Sequence, residues 1–419
     1  MFNRRMNRRE FLRFSKRAAC VACSAAAFGS LGNNLVLAQT LQGTGRALVL
    51  VNLFGGIDGL NWIVPYSRSV YYDRRPTIAV PANVVLPLNN EVGLHPSWSA
   101  LHAGVHQAGQ LAVVQQVGYP DANHSHFESQ DIWSFGRRVE SRGDERGWIG
   151  RLADQYFDSN FDVIGVGVSQ RIDFQSLRAD ARPVVVNTLQ EFGFQTDYLS
   201  GPDNAFRSQV AELNAFADPP ASGLRGRVQE TSKKIYSVAQ QLRQIDQDYH
   251  GSATYPGIPL GTSLHEIAKL IQSQIGTQVF YTGIGGWDTH SDESEALAGN
   301  LGGVAAAVNA FVQDVRAMGK WDDVCIVFFS EFGRNCYENG SGGTDHGHGN
   351  NMVLMGGRVR GGVYGPTPSN TDLRGEDVGY AIDFRSVFKT AIRQHLGLDP
   401  DPVFDEPVPI VQPYLPLFI

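Results

Sequence analysis

Thiol chemistry has little foothold in this chain of 419 residues, which carries four cysteines. Cys20 and Cys23 stand in an N-terminal segment that reads as a removable signal, so their C-x-x-C spacing marks neither a redox pair nor a zinc site. Cys325 lies inside the apolar run Val324–Phe329 and reads as core. Nothing in the sequence indicates a disulfide to Cys336. Cysteine clusters, haem motifs and a dinucleotide-binding glycine fingerprint are all missing, which argues against a redox enzyme. Charge is scarce as well, at 18% of residues, with a formal net charge of −7. Seven of the 35 basic residues, Arg4, Arg5, Arg8, Arg9, Arg13, Lys16 and Arg17, sit in this first segment with one acid, Glu10, so the remaining chain is more acidic still. An acidic body excludes general nucleic-acid binding, which needs a basic surface. The Ala-rich run Ala18–Leu37 is interrupted by Gly, Asn and Ser and is too weak for a stable membrane span.

What the chain does have is glycine, 46 residues of it, and a first segment with an address. Asn7-Arg8-Arg9-Glu10-Phe11-Leu12-Arg13 matches the twin-arginine export pattern, and Val36-Leu37-Ala38 offers small residues for cleavage before Gln39. The alternative for residues 1–38 is an uncleaved basic amphipathic anchor. The export machinery is thus an expected partner, and a periplasmic or extracellular location is expected. Because this route moves folded cargo, often with a cofactor inside, it also hints at a metal.

The body reads as α/β. Continuous apolar runs at Arg46–Phe54, Leu111–Val117, Val163–Val168, Val184–Val186, Thr277–Ile284, Asp322–Ser330 and Met352–Met355 predict strands, most of them covered on both faces. Helices are expected from His95-Pro96-Ser97 to Ala108, after Gly147, over Glu293–Met318 and over Phe384–Leu396. Leu297, Leu301, Val304, Val308, Phe311, Val312 and Val315 form the core stripe of the Glu293 helix. Strands alternating with helices imply a doubly wound, mainly parallel sheet in a single domain, 46–398. Residues 200–275 read as a helical insertion or cover, and the Pro-rich tail, 399–419, as docked.

Chemistry gathers where these strands end. Gly343-Thr344-Asp345-His346-Gly347-His348-Gly349-Asn350 combines a carboxylate with two imidazoles, a donor mixture suited to a divalent ion. Its glycines are expected to let backbone turn around an ion or an anion. Asp288 and His290, two residues apart, can face one ion. Asp58 follows the first strand in a glycine turn, where α/β sheets place ligands; the alternative is a turn or helix cap. Ser125, between His124 and His126, is a candidate N-cap with Glu128 completing a capping box, and a candidate nucleophile at a helix amino end. Glu331 and Arg334 close another strand. One or two zinc, manganese or magnesium ions are the expected cofactor. His95, His102, His106, His250, His265 and His395 lie off these loops and read as ordinary helix-surface or core histidines.

Six short motifs, GG-x-DGLN (Gly55–Asn61), SHF (Ser125–Phe127), GW-x-G-R (Gly147–Arg151), DTH (Asp288–His290), SEFGR (Ser330–Arg334) and TDHG (Thr344–Gly347), together resemble a secreted bacterial family catalogued as domain of unknown function 1501. That family is similar to the alkaline phosphatase and sulfatase superfamily. The resemblance implies an alkaline-phosphatase-like fold, with metal ligands at Asp58, Asp288, His290, Asp345, His346 and His348, and Ser125 as nucleophile beside His126. Arg334 would hold the substrate's anion. The chain departs from the superfamily in the close spacing of Asp288 and His290, and in having only His395 after His348. One metal site is therefore expected to be either incomplete or rebuilt with His124, His126 or Glu331. No Cys-x-Pro-x-Arg motif supplies a cysteine-derived nucleophile. The implied activity is hydrolysis of a small phosphate or sulfate ester; the alternative is a non-catalytic envelope binding or assembly protein on the same fold.

Overall fold

Seven consecutive buried residues, Ala47–Leu53 (β1), show why the sheet is covered on both faces. Val49, Val51 and Leu53 enter one apolar layer, while Leu48 and Leu50 enter the other. The same two-residue period sorts Val324–Phe329, with Ile326 and Phe328 on the first side and Cys325, Val327 and Phe329 on the second. The computed structural model describes residues 45–122, 124–137, 146–159, 161–169, 172–177, 183–192, 223–404 and 412–419. The expected signal at 1–38, the first part of the expected insertion, and 405–411 of the tail lie outside the described residues.

The described sheet contains β1, Leu111–Gly118 (β2), Val163–Val166 (β3), Val184–Val186 (β4), Val279–Ile284 (β5), Val324–Phe329 (β6), Asn350–Gly356 (β7), Gly362–Tyr364 (β8) and Ile382–Asp383 (β9). Its order is β8-β2-β7-β6-β1-β5-β3-β4, with β9 also paired to β2. β1 runs parallel to β5 and β6, and β3 runs parallel to β4 and β5. β7 alone is antiparallel, against both β6 and β2. The result is a mixed, mostly parallel sheet, as the alternation of elements implies. The reversal of β7 also corrects one detail. Asp345, His346 and His348 precede a strand instead of ending one, and they reach the shared edge because β7 starts there.

Helices cover both faces. His126–Phe135 (α1), Trp148–Tyr156 (α2) and Phe384–Thr390 (α6) pack Trp133, Trp148, Leu152 and Phe388 on the layer containing Leu50. Gly223–Gln247 (α3), Pro259–Ser273 (α4) and Glu293–Ala317 (α5) pack on the layer containing Val49. Leu260, Leu264 and Ile267 of α4 are fully buried, so this part of the expected insertion is a layer of the core and not a lid. Leu297, Leu301, Val304, Val308 and Phe311 form the buried stripe of α5. The helix expected from Ser97 starts instead as a 3-10 turn, Pro96–Trp98, capped by His95 Nδ1 accepting from Ser97 N at 3.1 Å. Cys325 and Cys336 are buried free thiols. At the chain's end Leu417 is buried, and Phe418 bridges to Val359.

His395, beyond α6, is fully buried, and its Nε2 lies 3.1 Å from the Ala47 carbonyl of β1. Burial pushes its pKa down to about 4, from 6.5 in an exposed histidine. The unfolded chain therefore binds the extra proton first. The stability contributed by neutral His395 is complete above pH 6.5 and is lost as pH falls towards 4, roughly 2 kcal/mol of it by pH 5. Denaturant unfolding of the wild type and of His395→Gln between pH 7.5 and 5 checks this: the variant is expected to show the shallower loss.

Candidate metal centre

Arg334 organises the carboxyl edge of the sheet. Its side chain is completely buried, and its Nε donates to Gly56 O at 2.6 Å. Nη1 donates to Thr344 O at 3.0 Å, while Nη2 reaches Gly55 O at 2.5 Å, Trp287 O at 3.1 Å and Asp288 Oδ1 at 2.6 Å. One guanidinium thus ties together the turn after β1, the loop after β5 and the loop before β7. Close approach of bare backbone makes this possible. Gly56 has φ +65°, and a Cβ there would collide with the Phe332 ring. Gly347 N donates to Gly333 O at 2.8 Å, and a Cβ on Gly347 would strike the backbone of Arg334. The glycines of the 343–349 stretch therefore serve backbone packing, not the wrapping of an ion.

Around Asp288 Oδ1 three imidazoles converge. His290 Nε2 and His346 Nε2 each lie 3.1 Å away, and His126 Nε2 lies at 3.4 Å. The ligand atoms of His126, Asp288 and His346 all fall within 4.8 Å of one another. His290 Nε2 is 3.0 Å from His346 Nε2. The other nitrogen of each ring faces a pure acceptor. His126 Nδ1 is 2.8 Å from Glu331 Oε1, His290 Nδ1 is 2.8 Å from Asp345 Oδ1, and His346 Nδ1 is 2.8 Å from the His124 carbonyl. Carboxylates and carbonyls accept only, so each Nδ1 carries a proton, and in the neutral rings the Nε2 lone pairs face the centre. Two such lone pairs 3.0 Å apart require a cation between or beside them, a proton or a metal ion. His126 Nε2 is also buried without a hydrogen-bond partner. This donor set fits a divalent transition ion.

Electrostatics agree with that fit. Burial alone would raise the Asp288 carboxyl, but Arg334, His346 and His290 outweigh it and hold its pKa at about 2. Buried Glu331 is likewise lowered against its desolvation, chiefly by the bond to His126. Asp345 is lowered by its bond to His290. His126 is raised by Glu331, whereas burial lowers His346. Asp288, His290 and Asp345 keep roughly half of their side-chain surface exposed, so the centre opens to solvent.

Over residues 45–408 the sequence matches the family described as "Protein of unknown function (DUF1501)". The chain belongs to that family. No curated protein matches it. Among solved structures, the PsFucS1 sulfatase from Pseudoalteromonas sp. is 13% identical with a TM-score of 0.38, covering 92% of this chain and 74% of that one. The C-terminal periplasmic domain of EcEptC from Escherichia coli is 10% identical, with a TM-score of 0.34 and coverages of 87% and 88%. Alkaline phosphatase from the Antarctic bacterium TAB5 is 9% identical, with a TM-score of 0.30 and coverages of 78% and 96%. These are distant likenesses.

In this DUF1501 chain the expected residues divide into those brought together and those held apart. Asp288, His290, Asp345 and His346 meet, and His126, expected beside the nucleophile, joins them with its Nε2. Asp58 does not reach it. It is wholly buried, its Oδ2 is 2.5 Å from Arg75 Nη1, and its Oδ1 accepts from Arg75 Nη2 and Leu60 N at 3.1 Å. Asp58 thus caps the short helix Gly59–Trp62 and neutralises a buried arginine. His348 turns away, with Nε2 2.7 Å from Tyr119 O. Arg334 has no exposed side-chain surface with which to hold a substrate anion. Ser125 occupies the N-cap position of α1, but its side chain makes no capping bond, so the capping box does not form. The residues that sequence reasoning missed are Arg75, which pairs with Asp58, and Glu293, whose carboxyl accepts from Asn61, Thr289 and Thr344. His346→Ala and His348→Ala separate the two placements. Zinc titration against a competing chelator is expected to show at least tenfold weaker binding for His346→Ala and no change for His348→Ala.

Proposed function

We propose that this protein is an exported, metal-dependent hydrolase of phosphate or sulfate esters. The observation that carries the reading is the convergence of three imidazole Nε2 atoms on one ionised carboxylate oxygen, with a face left open to solvent. Zinc or manganese suits this nitrogen-rich set better than magnesium, which prefers oxygen donors. A bound ion of this kind supplies Lewis-acid polarisation of the ester's oxygen and offsets its negative charge.

The chain's own residues do the rest. Glu331, His124 O and Asp345 fix the tautomers and ring directions of His126, His346 and His290. Arg334 keeps Asp288 ionised and oriented. Ser125 sits at the amino end of α1, directly before His126, where free N–H groups and the helix dipole favour a developing negative charge. In this reading its oxygen attacks the phosphorus or sulfur, the alcohol leaves, and water then cleaves the serine ester.

The test uses mature protein loaded with zinc or manganese and a panel of aryl phosphates, phosphodiesters and aryl sulfates. At least one class is expected to turn over, with kcat falling at least a hundredfold in both Ser125→Ala and Asp288→Asn. Turnover nowhere above the Ser125→Ala background, in protein shown to hold metal, would sink the proposal. Turnover that survives Ser125→Ala but not Asp288→Asn would remove only the nucleophile assignment.

A further inference from the structure

A cavity of ≈ 480 Å³ opens at the same carboxyl edge, among the ends of β1, β3 and β5 and the side of α1. Phe54, Val168 and Ile284 give it apolar walls, and Gln130 and Ser169 give it an amide and a hydroxyl. Among the described residues, no ionisable side chain lines it. It shares a wall with the metal centre. Gln130 Nε2 donates to Glu331 Oε1 at 3.1 Å, the same oxygen that orients His126 and accepts from Gly55 N at 2.9 Å. Phe54 immediately precedes Gly55, and Gly285, also in the lining, stands three residues before Asp288.

We infer that this cavity seats the alcohol half of the ester, and that this half is an uncharged ring-bearing group. The inference rests on the hydrolase reading for its chemistry and on the cavity for its selectivity. The volume falls within the range of about 300–1,000 Å³ usual for small-molecule sites. Apolar walls gain most from contact with an uncharged ring, and the described lining offers a charged substituent no counter-charge. A flat ring fits between Phe54, Val168 and Ile284, while Gln130, Ser169 and glycine backbone can hydrogen-bond neutral polar substituents. The reacting group would then lie on the Asp288 side of the shared wall.

Methyl, benzyl and 4-carboxybenzyl esters of the acid that turns over provide the test, because the two benzyl alcohols differ little in acidity. Wild-type, metal-loaded protein is expected to prefer benzyl over 4-carboxybenzyl by at least tenfold in kcat/KM. Val168→Trp, which fills the mouth, should reduce the benzyl-to-methyl ratio at least fivefold. Saturation-transfer NMR with benzyl alcohol and 4-(hydroxymethyl)benzoate adds a readout independent of turnover. Benzyl alcohol alone should bind, and Val168→Trp should lose it. Equal use of both benzyl esters, or benzyl alcohol binding that Val168→Trp leaves intact, overturns the inference. If no ester reacts, selective benzyl alcohol binding still supports the cavity's assignment, and the failure lies with the hydrolase reading.

Discussion

A guanidinium sealed from water holds three loops in one place, and the rest of the site depends on it. Arg334 donates to the carbonyls of Gly55, Gly56, Trp287 and Thr344 and to Asp288 Oδ1. Each of those loops is rich in glycine and would cost much conformational entropy to order alone. Five charge-assisted bonds from one rigid fork offset that cost, which a lysine ammonium with its single point of charge does not. Burying a cation is costly unless it is paired, and Asp288 supplies the pairing. Asp288 therefore has two duties: it neutralises Arg334 from within and faces three imidazoles from without.

The direction of β7 explains how so much of the site comes from one stretch of chain. β6 ends, and antiparallel β7 begins, at the same edge of the sheet. The connection can therefore fold back on itself without crossing to the far side. Gly333 N bonds His348 O at 2.9 Å, Asn335 N bonds Asp345 O at 2.9 Å, and Gly347 N bonds Gly333 O at 2.8 Å. This small ladder sets Glu331 and Arg334 opposite Asp345 and His346. A parallel β7 would have required a crossover and would have begun at the opposite edge.

Much of this was legible in the residues. The apolar runs marked the strands within two or three positions, because strands buried on both faces leave no polar interruption to blur them. Asp288, His290, Asp345 and His346 stood out as titratable groups packed into glycine turns at strand ends. What the sequence could not reveal was the identity of each partner. Asp58 and Asp288 look alike in one dimension, each an acid in a glycine-rich turn after a central strand. Arg75, 17 positions after Asp58, gives no local sign that it will fold back onto that carboxylate. Arg334 reads equally well as an anion holder or a clamp, and only the closeness of four carbonyls decides between them. The direction of β7 was hidden because a short apolar run looks the same read either way.

The buried acids beneath the rim carry the same argument further. Asp58 is held ionised because Arg75 outweighs its desolvation. Glu293 is pushed well upward by burial and by the neighbouring Asp58 charge, so it keeps its proton. Two carboxyl groups, one proton and one guanidinium form a unit with no net charge, which is what a water-excluded site tolerates. Asn61 Nδ2 donates to Glu293 Oε1 at 3.1 Å, and the Thr289 and Thr344 hydroxyls both donate to Oε2. Thr289 lies between Asp288 and His290, and Thr344 adjoins Asp345. The uncharged footing thus fixes the height of the loops above it. In those loops the described carboxylates share one buried arginine, Arg334 on Asp288, and the divalent cation we propose there would complete the balance that Arg75 supplies below.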